Sequence, residues 1–273
     1  MTENLDECYE VVVDLTKEGG ELIRERVWSE KTVEIKSCEV DLVTETDQQV
    51  EKLLISSLKS KFPGHRFIGE ESTAAGIKCE LTSDPTWIID PVDGTMNFVH
   101  GYPNVCVSVA LWVNKIPEIG IIYNPILELF FSARRGQGAF LNGKQIHVTE
   151  ENDLNKSLIG YEFGTSRDPE KMKVVMENMT MLVPLVHGIR STGSCAQNMA
   201  MVALGGTNAN FEFGIHAWDV AAGCLIVTEA GGVVIDPAGG PFDVLSRRYL
   251  CAASQPLADE LVKMIKQYYP ERD

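Results

Sequence analysis

The sequence predicts an α/β (α+β) fold, a layered αβαβα sandwich with a mostly antiparallel N-terminal sheet and a mixed α/β C-terminal layer. Three observations predict it. The chain opens on two stretches whose apolar residues recur at helical spacing. Short apolar runs joined by turn residues then fill 105–148, the pattern of a strand meander. Beyond residue 148 helical and strand patterns alternate, as in α/β layers. At 273 residues and 44% hydrophobic content the chain can bury a sizeable core. No linker-like stretch divides it, so 1–148 and 149–273 read as two halves packed into one compact unit.

The first helix rests on Leu5, Cys8, Tyr9, Val12, Leu15, Gly19, Leu22 and Ile23, with Asn4 as its cap and Asp6 and Glu7 in its first turn. The second is predicted to start on Thr46-Asp47-Gln48-Gln49, which has the form of a capping box. Val50, Leu53, Leu54 and Leu58 supply its stripe, and Phe62-Pro63-Gly64 ends it. Phe67-Ile68 reads as a short strand and Trp87-Ile88-Ile89 as a buried one. Strands follow at 105–113, 118–123 and 129–132, then a hairpin of 139–141 and 144–148 around a type I′ Asn142-Gly143 turn. In the second half Asp168-Pro169 opens a helix bearing Met172, Val175, Met176 and Met179. Helices are predicted at 194–204, 218–229 and 257–268, and strands at 208–213, 233–235 and 250–253. Gly205-Gly206 and Gly231-Gly232 stop the first two of these helices.

Composition excludes several classes. With 24 basic residues against 39 acidic ones the formal net charge is −15, and basic residues cluster only at Arg134-Arg135 and Arg247-Arg248. That is no nucleic-acid surface. Seven cysteines, an odd number without a Cys-x-x-Cys pair, fit a reducing compartment, with Cys106 and Cys224 as core residues. The five histidines lack metal-ligand spacing, and structural roles are expected for His100, His187 and His216. The acidic N-terminus lacks a signal-peptide core, and the apolar runs are too short to span a bilayer. A soluble cytoplasmic protein without membrane or nucleic-acid partners is expected.

The segment Trp87-Ile-Ile-Asp-Pro-Val-Asp-Gly-Thr-Met-Asn-Phe98 carries the chemistry. A buried strand delivers Asp90 and Asp93 into a loop stiffened by Pro91 and followed by Gly94 and Thr95. Crowded carboxylates suit Mg²⁺ or Ca²⁺, and the amides of Gly94 and Thr95 at a helix start suit an anion. Divalent metal beside an anion cradle points to phosphate chemistry, and a metal also reconciles phosphate binding with an acidic chain. Asp-Pro and Asp-Gly are common turn pairs in their own right. Their company makes the difference: Glu70-Glu71 after a short strand, and Trp218-Asp219 opening an apolar helix, bring the carboxylates to four. Asp219 also suits the helix dipole, a contribution under about 1 kcal/mol at a surface. Arg190-Ser-Thr-Gly-Ser194, before a helix, fits either plain capping or amides set against a ligand oxygen.

Set side by side, these stretches resemble the inositol monophosphatase family over nearly the whole length, most of all its animal-type members. The diagnostic segments are Trp87-Ile-Ile-Asp-Pro-Val-Asp-Gly-Thr-Met-Asn-Phe-Val-His100 and Trp218-Asp-Val-Ala-Ala-Gly-Cys-Leu-Ile-Val-Thr-Glu-Ala-Gly-Gly232. Asp41-Leu-Val-Thr-Glu-Thr-Asp47, Ile68-Gly-Glu-Glu71, Gly136-Gln-Gly-Ala-Phe-Leu-Asn-Gly143 and Gly240-Pro-Phe-Asp243 also match, and Glu212-Phe-Gly-Ile-His-Ala-Trp-Asp219 and Ser246-Arg-Arg248 carry the animal-type likeness. The resemblance implies a phosphoric monoester hydrolase that cleaves myo-inositol monophosphates with metal-activated water. It implies two to three Mg²⁺ ions, inhibition by Li⁺ and a homodimer.

It also implies roles. Glu70, Asp90 and the Val92 carbonyl would hold a first Mg²⁺, and Asp90, Asp93 and Asp219 a second, which makes 1–148 the metal-binding half. Glu70 would help with a third, largely hydrated ion. Thr95 paired with Asp47 would orient and activate the attacking water. The amides of Gly94 and Thr95 would hold phosphate, and Glu212 with Gly193-Ser194-Cys195 would meet ring hydroxyls. Met96, Gly101, Thr165 and Cys195 depart from frequent family residues, but none is an implied metal ligand. The competing readings are a related Mg²⁺-dependent phosphatase of the fructose-1,6-bisphosphatase or 3′-phosphoadenosine 5′-phosphate phosphatase type, and a non-catalytic relative that kept the fold.

Overall fold

A computed structural model describes residues 3–35 and 42–273, so Asp41 of the Asp41-to-Asp47 segment lies outside the described residues. Helix α1 (Leu5–Arg26) starts on Asn4, whose side chain accepts from the Glu7 amide, and it buries Cys8, Val12, Gly19 and Ile23 along one face. Strands β1 (Val33–Ile35) and β2 (Leu42–Thr44) pair antiparallel. Helix α2 (Glu45–Lys61) follows at once. Its N-cap is Thr44, two residues before the predicted Thr46, which lies inside the helix. Thr44 ends β2 in extended backbone, so its hydroxyl accepts from the Thr46 amide at 3.2 Å while Asp47 accepts from the Thr44 amide at 2.9 Å. The box is therefore Thr44 with Asp47, and it buries Asp47.

Seven strands then form one sheet in chain order: β3 (Arg66–Gly69), β4 (Thr86–Asp93), β5 (Cys106–Val113), β6 (Ile116–Asn124), β7 (Leu129–Arg134), β8 (Ala139–Leu141) and β9 (Lys144–Ile146). The β3–β4 pair is parallel and the other neighbours are antiparallel. Asn142 and Gly143 take φ of 50° and 77°, as a type I′ hairpin turn requires. Two short helices leave the strand ends, α3 (Glu70–Ala74) after β3 and α4 (Thr95–His100) after β4.

The second sheet is mixed and ordered β11-β10-β12-β14-β13. Its strands are β10 (Leu158–Tyr161), β11 (Gly188–Arg190), β12 (Ala209–Phe213), β13 (Val233–Ile235) and β14 (Arg248–Ala252). Helices α5 (Pro169–Leu182), α6 (Cys195–Ala203), α7 (Ala217–Glu229) and α8 (Gln255–Met264) connect or follow them. The last helix stops at Met264 and does not run to Tyr268 as its apolar pattern predicts. The buried Asn178 side chain takes both sides of Lys266, donating to its carbonyl at 2.9 Å and accepting from its amide at 2.8 Å. A side-chain amide thus replaces the helical partners. Ile265 and Tyr268 still pack into the core from non-helical backbone.

The sequence alternation sorts the core into three layers. Trp87, Ile89, Val107 and Ile121 face Val12, Val50 and Leu54 of α1 and α2. Ile88, Ala110 and Ile122 face the other way, toward Met199, Ala222 and Ile226 of α6 and α7. On β14, Tyr249 and Cys251 join that middle layer, while Leu250 and Ala252 face α5 and α8. The order is helices, sheet, helices, sheet, helices. Strand β4 is buried at every position because helices cover both faces of its sheet. Helix α7 is clamped between two sheets and buries nearly every residue. Gly120 of β6 permits that approach, since a Cβ there would stand 2.7 Å from the Ala222 carbonyl oxygen. No helix of the described residues is long and apolar enough to cross a membrane.

Candidate active site

Residues three apart on a flat strand point to opposite faces. Asp90 and Asp93 are three apart, yet both turn into one cluster, because β4 is irregular there. Asp90 pairs with Ser108 and Asp93 with Cys106, so β4 gains one residue over β5 at Pro91-Val92. The predicted loop is therefore a bulged strand end. Pro91 suits the bulge because it has no amide to leave unpaired. Val92 donates its amide to Asp90 Oδ1 at 3.0 Å, fixing that carboxylate from behind.

Asp93 faces the N-terminus of α6. Its Oδ2 accepts from Ser194 Oγ at 2.7 Å and from the Ala196 amide at 2.6 Å, and its Oδ1 from the Cys195 amide at 3.3 Å. The positive end of that helix holds the carboxylate in place. Asp219 sits in the first turn of α7, where one oxygen accepts from the His216 amide at 2.5 Å. Carboxylate oxygens of Asp90, Asp93 and Asp219 lie within 4.8 Å of one another. Glu70 opens α3 and lines the same cavity. It is placed by Glu51 of α2, whose carboxylate accepts from the Glu71 and Ser72 amides, each at 2.8 Å. Glu51 escapes a motif search. Its signal is an acidic residue in line with the buried apolar residues Leu54 and Leu58 of its helix.

Burial pushes the Asp90 carboxyl well above the usual range, helped by the charges of Glu70, Asp93 and Asp219. Burial and the Asp219 charge raise Asp93 to about 7, against the Ser194 and Ala196 hydrogen bonds. Burial raises Asp219 to about 6, against the pull of His216. Three carboxyls held up mainly by burial and by one another are stabilised as anions by a cation placed among them. All donors are hard oxygens, so the set fits a divalent ion of the Mg²⁺ or Ca²⁺ type.

Gly94 has a φ of 95°, and a Cβ on it would meet the Asn104 carbonyl oxygen at 2.8 Å, so only glycine makes this corner. The corner starts α4 and brings Thr95 beneath the cluster. Thr95 Oγ1 lies 3.1 Å from Asp47 Oδ1 and 3.0 Å from the Val92 carbonyl. The other Asp47 oxygen is taken by the Thr44 amide and hydroxyl, which leaves Oδ1 turned to Thr95.

The carboxylate cluster, Gly94 and Thr95 line one end of a cavity of about 890 Å³, and Gly193, Ser194, Cys195 and Glu212 line its wall. The Ser194 hydroxyl is engaged by Asp93. Cys195 Sγ donates to Tyr249 Oη at 3.3 Å, and burial pushes its thiol well up. Glu212 is 5% exposed, and its buried Oε2 has no hydrogen-bond partner in the protein. Burial raises its carboxyl well above the usual range, the Glu162 charge adds to this, and Lys171 opposes it. Glu162 was not expected in the site. It accepts from the Thr192 amide at 2.5 Å, the Gly193 amide at 2.8 Å and Ser191 Oγ at 2.7 Å, shaping the loop before α6. An acid directly after the apolar run Leu158-Ile-Gly-Tyr161 parallels Glu70 after β3. The cavity mouth carries Tyr102, Phe163 and Arg167, to which no motif points.

Comparison with known proteins agrees with this geometry. The sequence model described as the inositol monophosphatase family matches residues 4–269. Human "Inositol monophosphatase 1" is 50% identical over 274 residues, covering 100% of this chain and 99% of that one. Mouse "Inositol monophosphatase 2" is 45% identical over 269 residues, with coverages of 98% and 93%. Among solved structures, the extragenic suppressor protein suhB of Bartonella henselae superposes with a TM-score of 0.86 at 30% identity, covering 96% of this chain and 99% of that one. The Thermotoga maritima IMPase gives 0.85 at 31%, with coverages of 95% and 96%. A full-length family match, near-half identity to the animal proteins and a shared layered fold lead to one conclusion: the chain belongs to the inositol monophosphatase family.

Proposed function

We propose that this protein hydrolyses myo-inositol monophosphates to myo-inositol and phosphate with Mg²⁺, by direct attack of water. The observation that carries the reading is the convergence of buried Asp90 and Asp93 and half-buried Asp219 in one cavity with Thr95, which Asp47 backs, and with Glu212, whose Oε2 has no partner in the protein. Glu70, Asp90 and the Val92 carbonyl would hold one Mg²⁺, Asp90, Asp93 and Asp219 a second, and Glu70 would assist a third. Bound there, Mg²⁺ supplies charge neutralisation of the phosphate, a water of lowered pKa and stabilisation of the leaving alkoxide.

The protein's own groups set the geometry. Thr95 has one proton and two acceptors in reach, so its lone pairs remain to accept from a water. Asp47, locked by Thr44, keeps that hydroxyl aimed and makes it a better acceptor. The Gly94 and Thr95 amides at the start of α4 suit phosphate oxygens. The unpartnered Glu212 oxygen suits a ring hydroxyl, and a buried acceptor left unpaired by a wrong substrate discriminates strongly. Gly193, Ser194 and Cys195 form the wall against which the ring would lie. Orientation and fixed charge would thus supply most of the rate enhancement.

Three further expectations belong to the proposal. Li⁺ inhibition and a homodimer follow from the family resemblance. A cytoplasmic location fits the absence of any disulfide among the six described cysteines, all free thiols. A panel of inositol 1-phosphate, fructose 1,6-bisphosphate and 3′-phosphoadenosine 5′-phosphate, assayed for phosphate release with Mg²⁺ and with EDTA, tests the reading. Release from the inositol ester alone, and only with Mg²⁺, is expected. Preference for either bisphosphate would overturn the substrate assignment.

A further inference from the structure

The N-terminus of α7 carries Asp219, and it is secured from far along the chain. Asp273, 56 positions after Ala217, places its carboxylate there with only 6% of the side chain exposed. Its Oδ2 accepts from the Ala217 amide at 2.9 Å, and its Oδ1 accepts from His216 Nδ1 at 2.7 Å. Ala217 is the first residue of α7, so its N–H has no partner inside the helix. The neighbouring His216 amide already goes to Asp219 Oδ2 at 2.5 Å. Asp219 thus serves its helix with one oxygen and the carboxylate cluster with its reach toward Asp90 and Asp93.

Three donors and three carboxylate oxygens are matched at this turn. Without Asp273, the Ala217 amide would be left beside Asp219 as the nearest carboxylate. A buried unpaired N–H draws on whatever acceptor is at hand. Asp219 would then be pulled back toward its own helix start and away from Asp90 and Asp93. Asp273 also fixes the side chain lining the cavity at this point. His216 gives its Nδ1 proton to Asp273, its Nε2 faces Arg247 Nη2 at 3.0 Å, and its ring stacks on Trp218 with centroids 4.5 Å apart. Arg247 Nε, 3.7 Å from Asp273, compensates the buried carboxylate.

We infer that Asp273 is a positioning residue for Asp219, setting how strongly the cluster binds its second divalent cation. The inference rests on the reading of Asp219 as a metal ligand. Asp273 would act through hydrogen bonds behind the ligand, a kind of support whose loss weakens metal binding by about ten- to a hundredfold. It has further anchors that do not involve its carboxylate. The Asp273 amide donates to the Leu245 carbonyl at 3.1 Å, and Arg272 pairs with Asp243. Losing the carboxylate alone therefore leaves those contacts in place.

The test is calorimetric titration of the metal-free protein with Mg²⁺, comparing wild type, Asp273→Ala, Asp273→Asn, Asp219→Asn and Asp168→Ala. Asp168 caps α5 by accepting from the Lys171 amide at 3.0 Å, so its loss is a matched cap defect on a helix that carries none of the cluster's carboxylates. The binding component removed by Asp219→Asn should weaken about tenfold in Asp273→Ala. It should weaken less in Asp273→Asn, which keeps one acceptor oxygen, and stay unchanged in Asp168→Ala. Wild-type Mg²⁺ affinity in Asp273→Ala, or an equal loss in Asp168→Ala, would overturn the inference. If Asp219→Asn itself binds Mg²⁺ like wild type, the reading of Asp219 fails first and the inference falls with it.

Discussion

Stripping divalent cations should make the fold lose stability as pH rises from about 4 to 8, opposite to ordinary acid denaturation. An unfolded aspartate titrates near 3.9. In the folded, metal-free protein Asp93 titrates at about 7 and Asp219 at about 6, and Asp90 and Glu212 lie well above their usual range. The folded state therefore binds more protons than the unfolded state across this window. The stabilisation is full below the unfolded pKa and is lost as pH rises through the folded values. At about 1.4 kcal/mol per pKa unit, the Asp93 and Asp219 shifts together are worth on the order of 7 kcal/mol. For a chain of this length that is roughly 12 °C in Tm. Carboxylates shifted the other way do not mask the effect. Asp153, held down by Asn155, and Asp168, held down by the Lys171 amide, titrate below the window. Mg²⁺ replaces the protons, so its stabilising effect should be large at pH 8 and small at pH 5. Scanning calorimetry at pH 5, 6.5 and 8, with chelator and with Mg²⁺ at constant ionic strength, measures both limbs. Asp93→Asn should flatten the chelated profile. A chelated Tm that is constant or rises with pH, or an Mg²⁺ shift equal at every pH, would refute the reasoning.

Other perturbations separate the roles of single residues. Thr95→Ala should lower kcat by about a hundredfold with Mg²⁺ affinity retained, because its hydroxyl acts on water; parallel loss of Mg²⁺ affinity would make it structural. Glu212→Ala should cut kcat/KM for inositol 1-phosphate by roughly 10- to 100-fold, the worth of a charged hydrogen bond, and spare glycerol 2-phosphate; equal losses on both would remove it from ring recognition. Gly120→Ala should cost about 1–3 kcal/mol in chemical denaturation by wedging β6 from α7. An unchanged midpoint would contradict the close contact with Ala222.

Much of the site was legible because its residues are placed by local rules. Asp90 and Asp93 follow an apolar strand, Asp219 opens an apolar helix, and Gly94 marks a corner that only glycine turns. The meander and the Asn142-Gly143 hairpin were legible for the same reason, since period-two burial and turn chemistry are written within a few residues. What the sequence hides is pairing between distant segments. The bulge that turns Asp90 and Asp93 to one side is a register shift against β5, and no residue of β4 alone declares it. Glu51, Glu162 and Asp273 act across 20, 30 and 56 positions, through backbone amides that any sequence would supply. The two helix-end errors share a cause. Thr44 and Asn178 are polar side chains that win backbone partners, and apolar periodicity does not register them.

In the proposed function the carboxylate cluster works by holding Mg²⁺ for ester hydrolysis. Its most direct test is the rate of phosphate release from myo-inositol 1-phosphate against Mg²⁺ concentration, for wild type and for Asp90→Asn. Asp90 is the carboxylate assigned to both principal ions. That function requires saturable Mg²⁺ dependence in the wild type, no release after chelation, and no recovery of Asp90→Asn at any Mg²⁺ concentration while its fold is retained by circular dichroism. Turnover by the chelated wild type, or near-normal turnover by Asp90→Asn, would contradict it.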